Sequence, residues 1–182
     1  MGNLAFREKL EFTNCNRLLF TAFLTISPPL SRHVLVKLVS GHYGDDVHRL
    51  LAEHDFAPIL HAHSSPEGVP SAYIMEYLEP SSWTTLFEYS TLPNALTSTA
   101  AAAIHRSLDK ILSILENNSK VHGDFRSVNI MVHVFQTDRL VVFEDDSGVS
   151  SASIKLIDFD WGGDAGKVCY PLLRNSAIDG LT

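Results

Sequence analysis

Cysteine is scarce. Two occur in 182 residues, Cys15 and Cys169, far apart and in no C-x-x-C arrangement. That excludes a disulfide scaffold and a cysteine-based zinc ribbon, and it fits free thiols in a reducing compartment. Long apolar runs are also missing. No stretch approaches the roughly 18 residues of a membrane span, and no basic segment leads into an apolar core at the N-terminus, so neither a transmembrane helix nor a signal peptide is expected. Met1-Gly2-Asn3-Leu4-Ala5-Phe6 opens like a myristoylation signal but has Phe6 where Ser or Thr belongs. Asn117-Asn118-Ser119 matches a glycosylation acceptor by letter only. The expectation is a cytoplasmic protein with no membrane partner. Positive charge is short as well. Fourteen Lys and Arg face 21 Asp and Glu, a net charge of −7, which argues against nucleic acid as the partner.

What remains is an ordinary globular composition, 45% hydrophobic and 19% charged. The length suits one domain, 1–182, possessing enough chain to bury about 70% of its unfolded surface. The informative stretch is Val121-His122-Gly123-Asp124-Phe125-Arg126-Ser127-Val128-Asn129-Ile130-Met131-Val132, a polar loop between apolar runs. Downstream, Ile154-Lys155-Leu156-Ile157-Asp158-Phe159-Asp160-Trp161 is a β-rich run ending on carboxylates. An Asp and an Asn on one loop, with an Asp at a nearby strand end, make an oxygen-rich site. Mg²⁺ takes such sites, preferring one or two carboxylates plus substrate phosphates to a full protein cage.

His122-Gly123-Asp124, then Asn129 and Ile157-Asp158-Phe159-Asp160, resembles the protein kinase-like superfamily. Gly123 after the His is closer to the aminoglycoside phosphotransferase and choline kinase-like branch. The longer string HGDFRSVNIMV…KLIDFDWGG…GKVCYP resembles a group of small fungal kinase-like proteins of largely unassigned substrate. The likeness runs from about Leu18 to Pro171. It implies an α+β fold of two lobes: an antiparallel-sheet N-lobe with its hinge over 1–78, and a truncated, mainly helical C-lobe over 79–182.

The same likeness assigns roles. Asp158 and Asn129 would hold Mg²⁺ at the phosphates of ATP. Asp124 would accept or orient the proton of an attacking hydroxyl, Arg126 would place positive charge by the transferring phosphoryl group, and His122 reads as a structural hydrogen-bonding residue. Val34-Leu35-Val36-Lys37 resembles the V-A-I-K strand whose Lys contacts the α- and β-phosphates; on a lone strand the same Lys would read as a surface residue. Asp45 or Asp46 would hold that Lys, or else both simply favour a helix N-terminus. Ala72-Tyr73-Ile74-Met75-Glu76-Tyr77-Leu78 resembles the lobe-connecting hinge, with the backbone of Glu76 and Leu78 on adenine and Met75 behind it; an ordinary edge strand would look the same.

Along the chain, strands are expected at Leu10–Phe12, Arg17–Thr25, His33–Val39, Phe56–His61, Ser71–Tyr77, Ile130–Phe135 and Leu140–Glu144. Helices are expected at Asp45–His54, Trp83–Tyr89 and Ala95–Asn118, the last with a stripe of Leu96, Ala100, Ala103, Ile104, Leu108, Ile111, Leu112 and Leu115. His61 and His63 read as loop residues, not metal ligands, and the acidic turn at Glu144-Asp145-Asp146 as solvated.

Three departures bear on function. The expected phosphate-covering turn, Thr13-Asn14-Cys15-Asn16, has no glycine to let amides approach phosphate. Gly123 replaces the Arg that reads a phosphorylated activation loop, and Asp160 replaces the third-position Gly. Few residues follow Asp158, so little acceptor platform is expected, and a protein partner would cover the open lobe. The implied activity is γ-phosphate transfer from ATP to an unknown hydroxyl acceptor. The alternative is a weak pseudokinase that binds nucleotide or protein.

Overall fold

Period-two alternation in Val34-Leu35-Val36-Lys37 becomes the centre of a sheet. The computed structural model describes residues 3–10, 18–27, 29–135, 139–144 and 148–168. Strands β1 (Asn3–Leu10), β2 (Leu18–Ser27) and β3 (Leu30–Val39) precede helix α1 (Asp45–Glu53), followed by β4 (Leu60–Ser64) and β5 (Ser71–Glu76). They form one antiparallel sheet in the order β1-β2-β3-β5-β4. One face of β3 buries Val34 and Val36 with Ala22 of β2, backed by Phe20, Leu24 and Ile74. Leu35 and Val39, on the other face, pack against the larger core that also takes Val47 and Leu51 of α1. Lys37 follows the same alternation and is carried toward that core.

The second half comprises β6 (Trp83–Thr85), α2 (Leu86–Thr91), α3 (Ser98–Asn117), β7 (Lys120–Val121), a 3₁₀ turn at Ser127–Asn129, β8 (Ile130–Phe135), β9 (Arg139–Leu140), β10 (Val142–Glu144), β11 (Ser150–Ala152), β12 (Ile154–Leu156) and β13 (Gly163–Asp164). Strand β8 pairs antiparallel with β12 on one side and with β6 on the other, while β9 folds back on the end of β8. Strands β7 and β13 pair, which closes the loop after Asp158 onto the loop that holds Asp124. Among the described residues no helix is long and apolar enough to cross a membrane.

Several boundaries differ from expectation for local reasons. The first strand lies earlier, at Asn3–Leu10, and the expected turn at 13–16 falls outside the described residues. Trp83–Thr85 is strand, not helix, because Thr85 is the N-cap: its hydroxyl accepts from Glu88 N, and the Glu88 carboxylate returns to Thr85 N, a complete capping box. Pro58 interrupts the expected strand at Phe56–His61, so β4 begins at Leu60 and puts His61 and His63 on a strand. Leu140–Glu144 splits into β9 and β10.

Helix α3 starts at Ser98, capped by the Thr97 hydroxyl on Ala100 N at 3.1 Å. Its inward stripe is Ala103, Ile104, Ser107, Ile111 and Leu115, while Leu96 and Leu112 are exposed. Ser107 belongs inside because its hydroxyl donates to Ala152 O at 2.7 Å, which ties α3 to β11. Replacing Ile111 with Ala should cost about 2–5 kcal/mol in chemical denaturation. The neighbouring Leu112→Ala should stay within roughly 0.5 kcal/mol of wild type. Equal costs at the two positions would contradict this helix orientation.

Candidate functional site

The loop after β7 turns on Gly123. Its φ is +81°, and a Cβ there would lie 2.3 Å from Trp161 O and 2.8 Å from Trp161 Cβ. No side chain fits without moving the backbone of the Asp158 loop. Here the residue before Asp124 is set by this close approach. His122, just before, is buried. Its Nε2 donates to Ile157 O at 3.0 Å, and its Nδ1 accepts from Asp124 N at 3.3 Å. A carbonyl only accepts and an amide only donates, so this pairing selects the neutral imidazole. Burial pushes its pKa down against the Ile157 bond and the nearby Asp124 and Asp158 charges. His122 is therefore a bracket between two loops.

Asp124 sits inside that bracket and is nearly buried. Asn129 Nδ2 donates to its carboxylate at 2.7 Å and to its carbonyl at 3.0 Å. Arg126 grips the same carboxylate through both Nε and Nη2, the latter at 2.6 Å. That is the two-pronged geometry a guanidinium makes with a carboxylate. The 3₁₀ turn at Ser127–Asn129 folds Asn129 back toward Asp124, with Asn129 N donating to Arg126 O at 2.8 Å. Ile157 N donates to Asn129 O at 3.0 Å, so the Asp124 loop and the segment leading to Asp158 share a backbone bond.

Asp158 adopts φ +68°, in the left-handed region that an Asp enters at a cost. Lys37 crosses from β3 to meet it: Nζ lies 2.8 Å from Asp158 Oδ1 and 2.5 Å from Asp160 Oδ1. The ammonium is almost fully buried and stands 5.2 Å from the Tyr43 ring. One cation thus serves two carboxylates. Burial and the neighbouring Asp158 charge push the Asp160 pKa up, and Lys37 opposes them. Asp158 and Asp160 thus set two carboxylates on one ammonium, and among the described residues no group of three or more His, Cys, Asp or Glu side chains is arranged to hold a metal ion.

Phe159 turns the other way and is 1% exposed. It stacks on His48 of α1 at 4.4 Å with 6° between the rings, and meets His122 edge-on at 4.9 Å. Gly44, the N-cap of α1, donates its N–H to Phe159 O at 2.9 Å. A Cβ on Gly44 would come within 2.6 Å of the Gly162 carbonyl group. His42 Nε2 lies 2.6 Å from the same Gly162 oxygen. The Asp158–Gly163 loop is thereby clamped between α1 and the Asp124 loop.

Not every expected site residue meets the others. Lys37 pairs with Asp158 and Asp160 instead of with Asp45 or Asp46. Asp45 reaches Arg49 at 3.8 Å, one turn along its own helix. Asp46 holds Lys120 and caps Val47 N at 2.9 Å. Burial alone would raise the Asp46 pKa, but the Lys120 bond lowers it. Lys120 also reaches Asp164 at 2.6 Å, so Asp46 anchors α1 to the β7–β13 pair. Both acids open α1, and their short side chains are consumed there. In the hinge region, Met75 is buried in the main core and Leu78 is partly buried. Glu76 N donates to Ile59 O at 2.8 Å.

Sequence reasoning passed over Asp160 as a ligand of Lys37 and missed His48 altogether. His48 is fully buried: Tyr43 OH donates to its Nδ1 at 2.8 Å, and its Nε2 donates to Pro58 O at 2.7 Å. The available signal was its position on the face of α1 that also carries Leu51. A cavity of about 670 Å³ borders Asp160, Trp161, His42 and Asp46. A second, of about 920 Å³, lies under the Asp124 loop, lined by Leu115, Val121, Phe125 and Trp161.

No protein-family model and no curated protein matches the chain. Among solved structures, it is similar to the Cydia pomonella granulovirus kinase PK-1, with a TM-score of 0.60 and 17% identity over 90% of this chain. The fold is protein kinase-like. The chain spans about half of that kinase, 53% of its length.

Burial holds the His48 pKa down at about 4; Arg49 and Lys37 push it the same way, and the Pro58 bond and Asp45 oppose. Because the folded value lies below the unfolded one, this contribution is complete above about pH 6.5 and is lost as pH falls toward 4. Between pH 7 and pH 5 the loss should be about 2 kcal/mol. Thermal unfolding of wild type and His48→Gln across that range checks it, the variant showing the shallower slope.

Proposed function

We propose that the protein is an ATP-dependent phosphotransferase that moves the γ-phosphate to a hydroxyl acceptor. The observation that carries this reading is Lys37 Nζ at 2.8 Å from Asp158 Oδ1, bridging β3 and the loop after β12 beside the Asp124–Asn129 pair. Lys37 comes from β3, Asp158 from the loop after β12, and Asp124 and Asn129 from a single loop.

In this reading Lys37 exchanges its Asp160 contact for the α- and β-phosphate oxygens of the nucleotide. Asp158 and the Asn129 amide oxygen would hold Mg²⁺, which would supply positive charge at the phosphates. Asn129 spends its amide nitrogen on Asp124, which orients both residues. Asp124 receives or aligns the acceptor's proton. Arg126, already on Asp124, is the positive group nearest the transfer point. Met75, with the main-chain groups of Glu76 and Leu78, forms the adenine end. The acceptor is a small molecule or a protein hydroxyl. Catalysis here is positioning and electrostatics, with little covalent work for the protein.

A second reading is a pseudokinase that binds nucleotide or a protein. Two observations favour it. Lys37 is already neutralised by two carboxylates, so phosphate must displace at least one of them. The cavity of about 920 Å³ beside Phe125 and Trp161 offers an apolar face to a protein partner.

Mg·ATP should raise the melting temperature of wild type and fail to do so in Asp158→Asn. With radiolabelled γ-phosphate, Asp124→Ala should keep nucleotide binding and lose transfer by roughly a hundredfold or more. Equal turnover in wild type and Asp124→Ala would leave the binding-module reading in its place.

A further inference from the structure

We propose that Lys155 is a positioning residue that keeps the hinge in register with the Asp158 loop, so that the base and triphosphate ends of a nucleotide are gripped as one unit. This rests on the phosphotransferase reading. Lys155 is the middle residue of β12, between Ile154 and Leu156, and only 5% of it is exposed. A strand this buried ordinarily reads as a continuous apolar run. The lysine is an exception that the mechanism above does not use.

Its partners come from three separate segments. Nζ lies 2.8 Å from Asp55 Oδ1 in the turn after α1, 3.4 Å from Ala57 O just beyond, and 3.1 Å from Glu76 Oε2 at the end of β5. The Trp83 ring stands 5.8 Å away, near the contact limit for a cation over an indole. Asp55 holds φ +61°, a conformation Asp adopts at a cost, and it presents its carboxylate there. Glu76 is tied twice to Ile59: its Oε2 accepts Ile59 N at 3.1 Å, and its N–H reaches Ile59 O at 2.8 Å. Lys155 therefore holds the last residue of β5, from which Tyr77 and Leu78 leave.

The other end of the lever is Asp158, three residues on. Asp158 stands two residues past the end of β12 at Leu156. The intervening chain is rigid: Leu156 N donates to Phe56 O at 2.8 Å and Ile157 N to Asn129 O at 3.0 Å. Packing alone does not require an ammonium here. The partner side chains are 79% exposed at Asp55 and 32% at Glu76, so both would return to water if a methionine filled the strand position. What the methionine would not restore is the Lys155 bond to Glu76, which would be left with its two ties to Ile59.

The test compares Mg·ATP with Mg·tripolyphosphate, which carries the phosphates without the base, by titration calorimetry on the full chain. In Lys155→Met, Mg·ATP binding should weaken about tenfold while Mg·tripolyphosphate stays within about twofold of wild type. Lys155→Arg should restore most of the difference. Glu76→Gln should act like Lys155→Met, and the double variant should be no worse than either single one. It also carries the test should Lys155→Met not fold. Unchanged ATP binding in either single variant overturns the proposal. So does an equal loss for ATP and tripolyphosphate in a folded Lys155→Met, which marks a merely structural lysine. A wild type that binds neither probe overturns the phosphotransferase reading itself and this inference with it, an outcome visible before any variant is made.

Discussion

A single buried ammonium organises this molecule. Lys37 reaches from the middle of β3 to carboxylates 121 and 123 positions later, and by doing so joins the sheet of the first half to the loops of the second. Burying a charge is costly unless it is paired and hydrogen-bonded. The fold meets that demand with Asp158 at one side and Asp160 at the other. Two acids share one base, and burial first, then the Asp158 charge, raise the pKa of Asp160 against the pull of Lys37.

The remaining architecture keeps those charges from drifting. Phe159 is pinned between His48 and His122, and both imidazoles are neutral by the partners they face. Gly123 and Gly44 admit the Asp158–Gly163 loop from opposite sides, since neither position has room for a methyl group against Trp161 or Gly162. The strained φ of Asp158 is held by Lys37 on its carboxylate and by the backbone bonds of Ile157 to Asn129 and of Gly44 to Phe159 on either side. That is the circumstance in which such a conformation persists.

Much of this was legible in the letters, and the failures have physical causes. His122, Asp124, Asn129 and Asp158 stand at spacings that one loop and one strand end can turn into a cluster, and the structure brings the Asp124–Asn129 and Lys37–Asp158 pairs together. The expected partner of Lys37 did not follow. An acid at the start of a helix looks available in sequence, but Asp46 is drawn to Lys120, whose place depends on the β7–β13 pairing. That pairing is long-range and leaves no local trace. Lys155 was unreadable for a similar reason, and His48 showed only its place on the face of α1 that carries Leu51. A histidine or lysine among apolar residues looks like a surface residue until the carbonyls and carboxylates that receive it are known. The stripe on α3 erred at Leu112 because hydrophobicity marks a face only broadly. The hydroxyl of Ser107, with Ala152 O waiting for it, decided the rotation.

The apolar cavity under the Asp124 loop is best understood through the same charge balance. Phe125, Val121 and Leu112 remain exposed there, while the polar groups of the loop point inward to Asp124 and Ile157. The cavity wall is largely apolar, with Glu116, Ser119 and Lys120 at its border. Whatever meets that surface gains by dehydration alone, and it leaves the Lys37–Asp158–Asp160 charges untouched. Recognition at this face and charge chemistry in the cleft are thus separable in energy although they share Gly123 and Trp161.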